Sequence, residues 1–305
     1  MKKISIITQH DINSVNGSTV RPKWQIKALQ KLGYEKATII DNFNESKLNQ
    51  VTNTLIHAHQ FSGRIIQNKK FIVDIHGLEH IQDRNLIKGF PITSWKKYGY
   101  IAKSIYYKKI EEKLFKNAVH LICSSEDIQE KVKKIQNSTL VRNAVFIDEF
   151  LPCDNSELKI VLVGPFLPGT INFEGLNIIS KIVKKFPKIK FTFIGKTNEF
   201  FKNQLKNENT EFLGVVDNYE STLRKHSVLF APYPSHAKYL GSKNKFLEAA
   251  ACKMPIITTS SGAVDFRNDL LSIGNTTEKI SNLIEYLMNE NNRRNIGNKL
   301  RKEIE

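Results

Sequence analysis

Lys243, Lys245 and Glu248 fall within two helical turns of one another, in the run Gly241-Ser242-Lys243-Asn244-Lys245-Phe246-Leu247-Glu248-Ala249-Ala250-Ala251-Cys252. A spacing of three residues puts Lys245 and Glu248 on one side of a helix. Ser242 is of a type that caps helix starts, so a helix is predicted over Ser242–Cys252, with Lys243 and Lys245 in its first turn. Positive side chains there oppose the helix dipole. Their presence points to an external anion, and a diphosphate would suit both the lysines and the amides of the helix start. An ionised Glu248 accepts hydrogen bonds and cannot donate them, which suits the hydroxyl pair of a ribose. The same spacing also serves as an ordinary Lys–Glu helix pair worth a few tenths of a kcal/mol.

Such residues need a scaffold, and the chain alternates short β-branched runs with stretches of helical periodicity. The first series has strands at Lys3–Thr8, Ala37–Asp41, Thr54–His57, Lys70–Asp74, Val119–Cys123 and Thr139–Val141, with helices at Pro22–Leu32, Trp95–Asn117 and Ser125–Ile135. The polar stretch Phe150–Glu157 contains Pro152 and reads as a linker. A second series follows. Its strands are Lys159–Val163, Lys190–Ile194, Glu211–Leu213, Val228–Ala231 and Pro255–Thr259, and its helices Phe173–Lys185, Asn198–Lys206, Tyr219–His226 and Ser242–Cys252, before a helical tail from Thr277. The expected fold class is therefore α/β, two Rossmann-like domains with parallel sheets, residues 1–150 and 151–305. Three strands of the second series run into Gly164, Gly195 and Gly214, where a ligand could approach bare backbone at the carboxyl ends of a parallel sheet. No G-x-G-x-x-G and no G-x-x-x-x-G-K-[ST] is present, which disfavours dinucleotide dehydrogenases and P-loop enzymes.

Composition narrows the partners. The 305 residues carry 46 Lys plus Arg against 30 Asp plus Glu, a formal charge of +16 that favours anionic partners without choosing among them. Cys123, Cys153 and Cys252 show no C-x-x-C spacing. That argues against a disulfide framework or a zinc site and fits a reducing, cytoplasmic setting. The N-terminus lacks the apolar run of a signal peptide, and no segment approaches the length of a membrane-spanning helix. Between Lys88 and Lys116, eight lysines interleave with Phe90, Trp95, Tyr98, Tyr100, Tyr106 and Tyr107. This pattern suits an anionic membrane surface, or equally a solvated helix whose aromatic residues pack on a sheet.

The run K-x-x-E-A-x-A-x-x-x-P-I-I-T-T from Lys245, preceded by Pro232-Tyr233-Pro234-Ser235, resembles the donor-site signature of group 1, family-4-type retaining glycosyltransferases. The resemblance implies the GT-B fold, two sheets facing across a cleft. It assigns Glu248 to the ribose hydroxyls of a nucleotide-diphosphate sugar, and Lys245 with Gly241, Ser242, Lys243 and Asn244 to the diphosphate. Tyr233 and Gly164 belong to the same binding set. In the first half, Gly17 and Arg21 resemble the family's glycine-bearing loop, with Arg21 a further candidate for the leaving phosphates, and His76 resembles a strand-end histidine that positions donor or acceptor. Ser124-Ser125-Glu126 and Val141-Arg142-Asn143-Ala144 match further family positions. The resemblance implies transfer to a glycan or lipid-linked acceptor with retention of configuration. No D-x-D pair is present, so neither a metal nor any separate cofactor is expected. His57 and His59 are read as alternating faces of their strand, so that at most one serves a ligand.

The chain departs from the family in three places. A second glutamate eight positions before Glu248 is replaced by Leu240. The stretch Gly164–Thr170 lacks the arginine and lysine that grip the diphosphate in many members. The sequence ends at Glu305, before the cross-over helix many relatives carry. These departures keep a non-catalytic sugar-nucleotide binder in view as a rival. A nucleotide-sugar epimerase is a second rival, though no paired carboxylates stand out. Nucleic-acid binding is not expected, since no known module is recognisable.

Overall fold

A computed structural model describes residues 3–13, 17–52, 54–153, 156–237, 241, 243–264 and 266–305. The chain divides into two compact units, one of Met1–Ala144 with 240–242, the other of Val145–Tyr239 with Lys243–Glu305.

The first unit contains β1 (Lys3–Ile7), α1 (Gly17–Lys31), β2 (Thr38–Ile40), β3 (Thr54–His59), β4 (Phe71–Ile75), α2 (Glu79–Ile87), α3 (Trp95–Asn117), β5 (His120–Cys123), α4 (Glu126–Val132) and β6 (Ser138–Leu140). The strands form one parallel sheet in the order β2-β1-β3-β4-β5-β6. Ile7, Ile56, Ala58, Val73, Ile75, Leu121 and Cys123 are buried in it, covered by Leu114 and Phe115 of α3 and Ile128 of α4. Sheets buried on both faces need such continuous apolar strands. The helix expected to begin at Pro22 starts at Gly17 and runs through that proline. Proline forfeits one helical hydrogen bond, but Arg21 and Gln25, four residues apart, both donate to Asp74 of β4 and hold this part of the helix on the sheet. Tertiary bonds override the local stop signal.

A second correction concerns β3. His57 and His59 are not on alternate faces: residues two apart share a face of a strand, and their rings stack with centroids 5.0 Å apart.

The second unit contains β7 (Lys159–Val163), α5 (Ile171–Glu174), α6 (Leu176–Lys185), β8 (Lys190–Ile194), α7 (Glu199–Leu205), β9 (Thr210–Gly214), α8 (Tyr219–Leu223), β10 (Val228–Ala231), α9 (Asn244–Ala251), β11 (Ile256–Thr258), β12 (Ser272–Ile273), α10 (Thr277–Tyr286) and α11 (Glu290–Ile304). Its parallel sheet is ordered β12-β11-β10-β7-β8-β9. The chain moves outward in one direction from β7 and in the other from β10, so these neighbours flank the topological switch point, where open α/β sheets take ligands. The single helix expected over Phe173–Lys185 is two, broken at Gly175, where a β-carbon would lie 2.5 Å from the Pro232 carbonyl oxygen. The helical tail likewise divides into α10 and α11, and β12 has no counterpart in the sequence reading.

The C-terminal end of α9 is tied down by α11. Arg301 Nη1 donates to the Ala251 carbonyl at 2.5 Å and to the Phe150 carbonyl at 3.0 Å, satisfying a helix-end acceptor. Gly297 lies flat against the backbone of Lys253, and a methyl group there would overlap the Lys253 carbonyl. Gly297→Ala is therefore expected to lower stability by about 1–3 kcal/mol despite alanine's better helix propensity. Urea unfolding followed by circular dichroism would measure it, and an unchanged midpoint would contradict the packing described.

Candidate active site

In the second unit, the loops after β7 and β10 bring together the residues singled out on chemical grounds. The helix after β10 starts one residue later than the capping pattern suggests. Its N-cap is Lys243, with no side-chain cap bond, and Ser242 lies outside the described residues. An ammonium cannot accept a hydrogen bond, so the N-cap side chain caps no first-turn amide of α9, although Phe246 N donates to the Lys243 carbonyl at 3.0 Å. Gly241, just before it, is buried.

Lys243 is only 8% exposed, and its Nζ lies 5.9 Å from the ring centroids of both Tyr233 and Phe246. Lys245 Nζ stands 5.2 Å from the Tyr233 ring and donates to the Val163 carbonyl at 2.9 Å and to Asn172 Oδ1 at 2.7 Å. Asn172 is held in turn by its Nδ2, which donates to the Pro165 carbonyl at 3.0 Å. Both oxygens on Lys245 are neutral, and no carboxylate among the described residues pairs with it directly. Burial, with the Lys243 charge nearby, brings the Lys245 ammonium down to about 7. Tyr233 Oη and Asn244 Oδ1 are buried without a hydrogen-bond partner among the described residues.

Glu248 is 7% exposed, and its Oε2 accepts from the Tyr219 hydroxyl at 2.8 Å. Burial raises its carboxyl to about 7. The β7 end, where Val163 meets Lys245, runs into a row of glycines: Gly164 N donates to the Ile194 carbonyl at 2.8 Å and Gly195 N to the Gly214 carbonyl at 2.6 Å. Gly195 and Gly214 have φ of 118° and 67°, which glycine adopts without strain. The arrangement offers an ammonium lacking a counter-charge, a helix start without a side-chain cap and a buried hydrogen-bond acceptor. Asn172 and Tyr219 were not anticipated. Each reaches the site from a different strand's loop, and helix spacing around Lys245 carries no signal of them.

The first unit holds the other set. Gly17 opens α1, after loop residues 14–16 that lie outside the described ones. Arg21 is buried and fully engaged: Nε donates to Asp74 Oδ1 at 2.8 Å, Nη1 to Asn143 Oδ1 at 2.7 Å and Nη2 to the Val141 carbonyl at 2.8 Å. Asp74 also receives Gln25 at 2.6 Å and faces His57 Nε2 at 3.2 Å. Burial pushes its carboxyl up, but the His57 hydrogen bond and the nearby His59 and Arg21 hold it well below the usual carboxylate range. His76 follows β4, with Nε2 2.7 Å from His59 Nδ1 and 3.4 Å from Asp74 Oδ1. Burial lowers His59 well below its ordinary value and His76 to about 4, so both are neutral near pH 7.

His57, His59 and Asp74 have potential ligand atoms within 4.8 Å of one another, the group among the described residues best placed for a metal ion. The geometry argues against one. A metal sits in the plane of each imidazole that binds it, and the His57 and His59 rings stack only 17° from parallel. Arg21 already occupies the carboxylate.

Comparison with known proteins agrees with this layout. Residues 157–290, nearly the whole second unit, match the family described as Glycosyl transferases group 1. No curated protein sequence matches the chain. Among solved structures, it is similar to a sucrose-phosphate synthase from Thermosynechococcus elongatus, with 14% identity, a TM-score of 0.75 and coverage of 100% of this chain and 94% of that one. It is also similar to WaaG, a glycosyltransferase involved in lipopolysaccharide biosynthesis, with 10% identity, a TM-score of 0.72 and coverage of 99% and 95%. A third is Anabaena HepE in complex with UDP and glucose, with 12% identity, a TM-score of 0.66 and coverage of 100% and 98%. At these identities the likeness speaks for the fold, and the family match for the second unit. The chain has the GT-B fold, and its residues 157–290 form a domain of the family described as Glycosyl transferases group 1.

Proposed function

We propose that the second unit binds a nucleoside-diphosphate sugar and that the chain transfers the sugar, with retention and without a metal, to a glycan or lipid-linked acceptor. One observation carries the reading: a half-buried ammonium with no carboxylate in direct contact and a buried carboxylate stand one turn apart on the helix after β10, at the switch point. Lys245, Lys243 and the first-turn amides of α9 would hold the diphosphate and stabilise its charge as the glycosyl bond breaks. Glu248 would accept from the ribose hydroxyls. HepE, of similar fold, was solved with UDP and glucose, which makes uridine the first base to try. In the first unit, His76 would orient donor or acceptor as a neutral imidazole. Arg21, bound by three oxygens, would act on the substrate through the loop it secures.

The acceptor reading rests on α3. Trp95, Tyr98, Ile105 and Tyr106 recur at helical spacing on its exposed side, and Lys109, Lys113 and Lys116 continue that side. Trp95 is 78% exposed. The last three lysines, with Glu112 and Asn117, line an open hollow of about 340 Å³. No helix among the described residues is long and apolar enough to cross a membrane. A helix lying in the interface of an anionic leaflet, aromatic half inserted and basic half over the headgroups, suits this pattern, each lysine near the surface adding about 1 kcal/mol. On this reading the protein works at the cytoplasmic face of a membrane.

Thermal shift and calorimetry with UDP, GDP and ADP test the donor site. One nucleotide should stabilise the protein selectively, by about 2.7 kcal/mol at a hundred times its Kd, and Glu248→Ala should remove most of that gain. No response to any of the three would refute the donor assignment.

Affinity for that nucleotide should peak near pH 7. Below it Glu248 takes up a proton and presents a donor where an acceptor is needed; above it Lys245 loses the charge that holds phosphate. A flat profile from pH 5.5 to 8.5 would count against both roles.

For the membrane, co-sedimentation with phosphatidylcholine vesicles should require added phosphatidylglycerol and weaken in both Trp95→Ala/Tyr98→Ala and Lys109→Glu/Lys113→Glu. Binding indifferent to anionic lipid would dismiss the surface.

A further inference from the structure

We propose that Tyr219 is a positioning residue for the donor nucleotide: its hydroxyl fixes the Glu248 carboxylate in orientation and in ionised form for the ribose diol. This rests on the donor-site reading above and adds to it a residue from another strand's loop. Tyr219 opens α8 just beyond the carboxyl end of β9, where Asn218 caps the helix by accepting from Ser221 N at 3.2 Å. From there its hydroxyl spans to α9 and donates to Glu248 Oε2 at 2.8 Å. It is the one side-chain bond to Glu248 among the described residues.

The chemistry follows from what each group can do. A carboxylate receiving a ribose diol must present its oxygens as acceptors in a defined plane. A lone buried glutamate fails on two counts: its terminal torsion is soft, and burial favours the neutral acid, which carries a proton where an acceptor is needed. Tyr219 answers both. Its bond to Oε2 fixes the carboxylate plane and leaves Oε1 for the ligand, and a donor to the charged form lowers the cost of ionisation. Its own hydroxyl stays protonated, because burial and the adjacent Glu248 push it well above the normal tyrosine range. The remaining groups around Glu248 set the background. Glu220 on α8 disfavours ionisation, Lys245 one turn back favours it, and Cys252, pushed up to about 12 by burial, is neutral.

The test uses Tyr219→Phe, which keeps the ring and deletes the donor. Two readouts are needed, carboxyl-carbon NMR titration of Glu248 in the nucleotide-free protein, assigned with Glu248→Gln, and calorimetric affinity for whichever of UDP, GDP and ADP binds the wild type, from pH 5.5 to 8.5. The expected result is a Glu248 titration displaced upward by about one pH unit with the acid limb of nucleotide affinity moved by the same amount. The alkaline limb, set by Lys245, stays in place, and affinity at pH 7 falls several-fold. A merely structural tyrosine would move neither limb. Unchanged affinity and acid limb in Tyr219→Phe, with the wild type binding normally, would overturn the proposal. If Glu248 titrates higher in the variant but the wild type binds none of the three nucleotides, the donor reading has failed and the role of Tyr219 falls with it.

Discussion

The second unit is organised around an ammonium that folding largely removes from water with no carboxylate in direct contact among the described residues. Lys245 is held by a backbone carbonyl from the end of β7 and by an asparagine amide that itself leans on the Pro165 carbonyl. Neutral oxygens solvate a cation less well than water does, and the depressed proton affinity of Lys245 records that deficit. A buried charge kept in this condition is costly to stability alone and useful if an anion completes it. Other features point the same way. The N-cap of α9 is a residue whose side chain cannot cap, and its first turn carries charge of the wrong sign for the dipole.

The loop after β7 gives this arrangement its particular character. Read from sequence, Gly164–Thr170 is a weakened phosphate grip, because it has neither arginine nor lysine. In the folded chain, this loop and the helix after it contribute through oxygens instead. Val163 and Pro165 offer carbonyls and Asn172 relays one of them, so the cation comes from α9 and the loop holds it. The first unit solves the opposite problem. Asp74 is a buried anion, and it is satisfied internally by Arg21, Gln25 and His57. One unit keeps its buried charge paired, and the other keeps it waiting.

Much of this was legible in the sequence wherever the information is local. Alternation of β-branched runs with helical periodicity identified two parallel-sheet units, and the spacing of Lys245 and Glu248 placed them on one side of one helix. Legibility failed where distant segments decide. Nothing near Pro22 says that Arg21 and Gln25 will be pinned by a strand some fifty residues away, so the helix was expected to start too late. Gly175, where the helix divides, leaves no room for a side chain because the Pro232 carbonyl passes against it, a contact no window contains. Tyr219 and Asn172 escaped notice for the same reason. The stacked pair His57 and His59 was legible, since residues two apart share a strand face, and the expectation of opposite faces misapplied that period.

The glycines at the strand ends have a consequence for how such a site can change over evolutionary time. A β-carbon at Gly164 would lie 2.6 Å from the Phe166 ring, one at Gly195 would press on the Gly164 backbone, and Gly214 holds a left-handed φ. The floor these strand ends make is therefore closed to side chains at Gly164 and Gly195. Descendants of this chain that come to prefer another base or sugar must do so by rewriting the loops and helix starts around that floor. Divergence should be steep at positions such as 215–217 and nearly frozen at Gly164 and Gly195.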